Sequence, residues 1–198
     1  MNPKPWDARL AAALVRPLVN TRVHPNVLTT VRLLVGLAGA ALFASGTHFN
    51  LAALFFVTSN FLDHTDGELA RMSGKTSIFG HRYDLLSDAI VTVGLFAGLG
   101  LGLKASLGPE AALYGAVAGL AVAGIFQLRH VIESAHGKAA TRQANLGGFE
   151  TEDVLYLIPL VTLTSQEAAF LQIAAIGAPI AFVIVLVQFF SIRANGAH

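Results

Sequence analysis

The stretch LAALFFVTSNFLDHTDGELAR, Leu51 to Arg71, begins as a membrane helix would and ends in two aspartates, a glutamate and an arginine. A helix entering a bilayer along this run meets those charges before it has finished crossing. Ionisable side chains inside a span are costly, and by default they mark a functional site. At about 100° per residue, Asp63, Asp66, Gly67, Ala70 and Arg71 share one face of about 140°, with His64 and Glu68 on its flank as an i,i+4 pair suited to bonding each other.

The next segment carries a matching stripe, because Gly80, Asp84 and Asp88 are spaced four apart. Only SGKTSIF, Ser73 to Phe79, joins the two segments, so they must run antiparallel. In such a hairpin, equal depth pairs Asp63 with Asp88, Asp66 with Asp84, and Arg71 with Gly80. Four carboxylates about 10–15 Å inside a membrane face repel one another and stay ionised only with compensating cations. Oxygen donors without histidine or sulfur favour Mg²⁺, Mn²⁺ or Ca²⁺, and four of them can bridge two ions. Paired metals of this kind are a common device for phosphoryl transfer. Gly67 leaves room for a ligand to approach the backbone, and Arg71 can offer a fork to a phosphate.

The rest of the chain agrees with a bilayer setting. Of its 198 residues, 54% are hydrophobic and 13% charged, against about a quarter charged in soluble domains. Mean hydropathy is +0.62. The absence of cysteine excludes disulfides and thiolate metal sites. The opening MNPKPWDARLAAALVRPLVN lacks the apolar core and cleavage site of a signal peptide and reads as mature sequence. Within it, Trp6, Leu10, Leu14 and Leu18 recur at helical spacing with Arg9 and Arg16 between them, which predicts an interfacial helix.

Six hydrophobic segments follow, roughly 26–46, 50–73, 80–104, 109–134, 151–166 and 168–192. The expectation is an all-α integral membrane protein with six transmembrane helices behind an interfacial amphipathic helix. Residues 1–22 would form that helix and 23–198 the six-helix bundle, as one domain without repeats. Segments two and three span only if their charged turns continue the same helix, and segment five carries Pro159. Glycines such as Gly94, Gly98 and Gly102, and those of GAVAGLAVAG from Gly115 to Gly124, suit close helix packing. With six spans, all 13 lysines and arginines except Lys104 and Arg32 fall at one side, which places both termini and the acids in the cytoplasm. Arg32, about a turn and a half inside the first span, is expected to snorkel toward the headgroups. None of the seven histidines forms an H-x3-H zinc pair.

The pattern Asp63-x2-Asp66-Gly67-x2-Ala70-Arg71-x8-Gly80-x3-Asp84-x3-Asp88 resembles, at every fixed position, the signature of the CDP-alcohol phosphotransferases (CDP-alcohol phosphatidyltransferases). Pro25-Asn26-Val27-Leu28-Thr29 is similar to the family's P-N-x-L-T run. The resemblance implies an integral-membrane enzyme of phospholipid biosynthesis with two Mg²⁺ or Mn²⁺ ions. It implies that Asp63 and Asp84 touch both metals, Asp66 one, and Asp88 the second while acting as general base. It assigns Gly67, Arg71, Ser77, Asn26 and Thr29 to the CDP moiety, with Ala70 and Gly80 packed beside it. The implied donor is CDP-diacylglycerol, the implied product CMP and the implied assembly a homodimer. The alternative is transfer from a small CDP-alcohol, such as CDP-choline or CDP-inositol, to a lipid alcohol.

Arg129, Lys138 and Arg142 are candidate contacts for a phosphorylated acceptor, although the same segment holds Glu133, Glu150, Glu152 and Asp153, which suit a cationic one. A solvated loop would carry the same mixture. From another class, a cation or proton transporter also places carboxylates in a membrane, but it needs a polar trail to the far side that spans two and three lack. A prenyltransferase would be longer and would repeat its aspartate motif. An inactive lipid-binding relative would lack some of the catalytic side chains that are all present here. No nucleic-acid partner is expected.

Overall fold

The computed structural model describes residues 6–137 and 156–195. Among them every element is helical. Helix α1 (Trp6–Val15) runs into a 3-10 turn (Arg16–Leu18), followed by α2 (Pro25–Ala44), α3 (Phe49–Ser73) and α4 (Ile78–Gly102). A four-residue α5 (Lys104–Leu107) leads to α6 (Ala111–His136), and a short α7 (Ile158–Leu163) precedes the long α8 (Glu167–Asn195).

Local chemistry sets the ends of the elements that carry the acids. Helix α2 starts with Pro25 in its first turn, and the His24 side chain accepts from the Asn26 N–H. Helix α3 runs unbroken through Asp63, Asp66 and Arg71 and stops at Gly74, which takes the left-handed conformation (φ 67°) open to glycine. The Gly74 and Lys75 N–H groups both return to the Ala70 carbonyl. Helix α4 begins at an extended Ser77 whose Oγ accepts from the Gly80 N–H at 2.9 Å. Lys75 then ties the hairpin to the chain before α2, donating to the carbonyls of Thr21 (2.8 Å) and Val23 (3.1 Å).

Among the described residues, four helices are long and apolar enough to cross a membrane: α2, α4, α6 and α8. Helix α3 has a spanning length, 25 residues, but its second half holds Asp63, Asp66, Glu68 and Arg71. Of the predicted segment 151–166, the described residues form only the six-residue α7, because Pro159 is tolerated in a first turn but not in a helix interior. Helix α1 packs on α3, burying Ala11 and Val15 while Leu10 and Leu14 stay exposed.

Helix α2 packs against α3 and α4, α4 against α6, and α6 against α8. Between apolar helices in lipid the hydrophobic effect supplies little, so close packing must hold them together. The predicted small residues do this. A Cβ at Gly98 would strike the Ala40 carbonyl, one at Gly102 the Phe43 carbonyl, and one at Gly115 the Phe96 carbonyl. Gly98→Val is expected to push α2 off α4 at a cost of about 1–3 kcal/mol. Thermal unfolding in detergent should show a lower midpoint; an unchanged one would mean that this contact is loose.

On α2 the buried stripe is Pro25, Thr29, Arg32, Gly36, Gly39 and Phe43, spaced by three and four. Its far half joins an apolar core of Phe43, Ala52, Phe56, Leu95, Phe96 and Leu99. Its near half is polar and meets the acids.

Candidate active site

The hairpin of α3 and α4 brings the acids together. Asp63, Asp66 and Asp84 each present a carboxylate oxygen within 4.8 Å of the others. Asp88 stands outside that trio and joins it through a cation from α2. The Arg32 guanidinium donates from Nη1 to Asp88 Oδ1 at 2.7 Å and from Nη2 to Asp84 Oδ1 at 2.7 Å and the Asp84 carbonyl at 3.0 Å. Asp63 Oδ1 lies 3.1 Å from Nη2, and Asp66 Oδ2 lies 3.6 Å from Nε. With a side chain only 2% exposed, Arg32 does not snorkel. Its i,i+3 neighbour Thr29 and its i+4 neighbour Gly36 lie on the face of α2 that meets the hairpin, so the arginine points inward with them.

Beside this cluster a cavity opens. Asn26 and Thr29 line it from α2, Gly67, Ala70 and Arg71 from α3, and Ser77 and Gly80 from the start of α4, with Asp66 and Asp84 at its edge. All seven candidate CDP contacts thus share one cavity. Lys75, Thr76 and His81, which neither motif includes, also line it, as does Pro25 of the P-N-x-L-T run. A Cβ on Gly80 would come within 3.0 Å of both Asn26 Oδ1 and Ser77 Oγ, so a glycine there lets the first turn of α2 close on the hairpin. The Ser77 hydroxyl caps α4 as an acceptor and keeps its own hydrogen for a ligand.

Two positioning contacts were not legible in the motif. Thr29 Oγ1 donates to Asp66 Oδ2 at 2.6 Å, which orients that carboxylate from α2. The buried Glu68, 2% exposed, accepts from Arg71 Nη2 at 3.0 Å. Arg71 is otherwise solvent-facing, and this charge-assisted bond limits where its fork can reach. Inward glutamate on the flank of an acidic face was the available signal.

Of the basic acceptor candidates, only Arg129 lies among the described residues. Lys138 and Arg142 lie outside the described residues, as do Glu150, Glu152 and Asp153. Arg129, on α6, does not line the cavity. Its neighbour His130 reaches α4, with Nε2 3.2 Å from His81 Nε2.

The donor set suits a hard divalent cation. It is all oxygen, three carboxylates converge, and Asp63 Oδ1 is buried with no hydrogen bond, held by the ion pair to Arg32 Nη2 at 3.1 Å.

A comparison with known families decides the class: the family model described as CDP-alcohol phosphatidyltransferase matches residues 22–192. The chain belongs to the CDP-alcohol phosphatidyltransferase family. Among curated relatives, a bifunctional IPC transferase and DIPP synthase from Rubrobacter xylanophilus is 29% identical over 166 residues, which are 81% of this chain and 36% of that protein. A CDP-diacylglycerol–serine O-phosphatidyltransferase from Helicobacter pylori is 34% identical over 74 residues, 37% of this chain and 31% of the relative. The chain thus spans about a third of the length of the curated relatives it matches. In this family member the cavity adjoins the acids, and Arg71, held by Glu68, stands at its lining.

Proposed function

We propose that this chain transfers a phosphatidyl group from CDP-diacylglycerol to the hydroxyl of a small alcohol, with CMP leaving. The observation that carries the reading is the single cavity shared by Asn26, Thr29, Gly67, Arg71, Ser77 and Gly80 and bordered by Asp66 and Asp84. In this reading Asp63, Asp66, Asp84 and Asp88 hold two Mg²⁺ or Mn²⁺ ions, which when bound neutralise the diphosphate and the charge developing on the oxygens around phosphorus. Arg71 grips the diphosphate by its fork and Gly67 lets it approach α3. Asp88 accepts the proton of the acceptor hydroxyl, whose oxygen forms the new bond to the lipid-side phosphorus as the bond to CMP breaks. The protein's contribution is orientation and electrostatics.

Membrane topology follows the same reading. With α2, α4, α6 and α8, helix α3 and the predicted segment 151–166 make up six crossings, and both termini and the site face the cytoplasm. The exposed Leu10 and Leu14 support α1 as an interfacial helix, because they face away from the α3 surface on which it packs. A homodimer in the inner membrane belongs to the proposal as well. Against ion transport stands the apolar interior beyond the acids, built from Phe43, Ala52, Phe56, Leu95, Phe96 and Leu99.

The donor rests on the Helicobacter relatives, which are named for CDP-diacylglycerol and serine. The Rubrobacter relative is named for neither, and the alternative of a small CDP-alcohol donor and a lipid alcohol is tested beside the main reading. CMP release by purified protein with Mg²⁺ or Mn²⁺, CDP-diacylglycerol and glycerol phosphate, inositol, inositol phosphate, serine or choline tests the main reading. Activity only with CDP-choline, CDP-ethanolamine or CDP-inositol and a lipid alcohol would select the alternative. Cation uptake into proteoliposomes without CMP release would overturn both.

Glu68→Gln is expected to raise KM for the CDP donor about tenfold, the size of one weakened charge-assisted bond, with kcat within about twofold. An unchanged KM would free Arg71 from dependence on Glu68.

A further inference from the structure

Among the described residues, Arg32 is a buried charge in the carboxylate cluster that the eight-residue motif does not include and the reaction above does not use. Its chemistry is nonetheless built in. The guanidinium is 2% exposed and lies within 3.1 Å of carboxylate oxygens from Asp63, Asp84 and Asp88. Its segment of backbone is held too, since Ser59 Oγ donates to the Arg32 carbonyl at 2.8 Å. One turn on, a Cβ at Gly36 would come within 2.6 Å of Val91 and 2.9 Å of Ser59, so α2 is seated tightly on both hairpin helices there. Arg32 therefore has no route to the headgroups without lifting α2.

We propose that Arg32 is a resident counter-cation of the carboxylate cluster: it holds the four acids converged, and divalent ions bind by sharing those same oxygens with it, so that Arg32 weakens metal affinity while removing the need for metal to keep the site folded. This rests on the reading of the four aspartates as metal ligands. The physical reasoning is charge and reach. Four carboxylates and one guanidinium leave a formal charge of −3, and losing the guanidinium raises that to −4 among side chains that are mostly out of water. The oxygens that Arg32 binds on Asp63, Asp84 and Asp88 are also those that a cation entering the cluster would seek. Only arginine has a planar fork that spans several carboxylates at once; lysine offers the charge at one point.

The test uses the full-length chain in detergent, with Mn²⁺ as probe, and reads binding from free Mn²⁺ at equilibrium together with thermal unfolding with and without chelator. Wild type should bind Mn²⁺; if it does not, the metal-ligand reading fails, independently of Arg32. Arg32→Gln should bind Mn²⁺ at least about tenfold more tightly than wild type, because a neighbouring positive charge is gone. In chelator its unfolding midpoint should fall by about 10 °C, as expected when a buried charge cluster loses its partner. Saturating Mn²⁺ should restore most of that difference. Arg32→Lys should keep Mn²⁺ affinity within about threefold of wild type and fall between the two in chelator. Unchanged or weaker Mn²⁺ binding by Arg32→Gln, or a midpoint loss that Mn²⁺ does not restore, would reduce Arg32 to a packing residue. Failure to recover folded Arg32→Gln even with Mn²⁺ present throughout would overturn the proposal as well, since the metal should then replace the guanidinium.

Discussion

Asp88→Asn is expected to abolish turnover while leaving the CDP donor bound. Its amide oxygen can still accept from Arg32 Nη1, the contact that measures 2.7 Å to Asp88 Oδ1, so the local arrangement survives. An amide cannot take the proton of an acceptor hydroxyl. A general base contributes about 10²–10⁴ in rate, and the expected fall in kcat lies in that range or beyond it, because the variant also weakens one metal ligand. CMP release under saturating donor and acceptor measures the loss, and displacement of a labelled CDP-lipid measures binding. Rates near wild type would remove Asp88 from its role as base. Loss of binding in parallel with rate would instead make it a structural partner of Arg32.

Asp66→Ala is expected to shift the metal dependence furthest. Asp66 borders the cavity, belongs to the carboxylate trio and is oriented by Thr29 from α2. Replacing even a supporting contact of a metal ligand commonly costs 10–100-fold in affinity, so loss of the ligand itself should raise the half-saturating Mg²⁺ concentration by about 100-fold or more. Thr29→Val, which removes the 2.6 Å hydrogen bond to Asp66 but leaves the carboxylate in place, provides the scale, with an expected increase of about tenfold. A Mg²⁺ titration of CMP release reads both. An Asp66→Ala curve that overlays wild type would show that this carboxylate holds no metal.

These two effects trace to features of different legibility. The i,i+3 and i,i+4 spacing from Asp63 to Arg71 and from Gly80 to Asp88 forces each stripe onto one face, and the short connection between α3 and α4 forces the stripes to a common depth. Asp63, Asp66 and Asp84 accordingly meet. Equal depth is not equal contact, however: the converging trio does not include Asp88, and Arg32 bridges Asp88 to Asp84 and Asp63. The termini of the acidic helices were equally local, with Gly74 ending α3 and Ser77 beginning α4.

Arg32 shows where local reading ends. A lone arginine in an apolar span snorkels when its face meets lipid and pairs when its face meets carboxylates, and hydropathy is the same in both cases. The stripe Thr29, Arg32, Gly36 and Gly39 carried a clue, since small and polar residues at three- and four-residue spacing mark a packed face. Glu68 was similar: its position on the flank suited a bond to His64, and the fold adds its burial and its bond to Arg71.

By itself the sequence determined the helical class, the membrane setting and the convergence of the acidic stripes, because periodicity within a helix and a tight hairpin are short-range constraints. Only the tertiary structure decided which cation sits among the acids and which helix face closes the cavity. Both depend on how α2 is rotated against α3 and α4. That rotation is set by contacts such as Gly36 with Val91 and Ser59, between residues far apart in the chain, and no spacing along α2 alone encodes it.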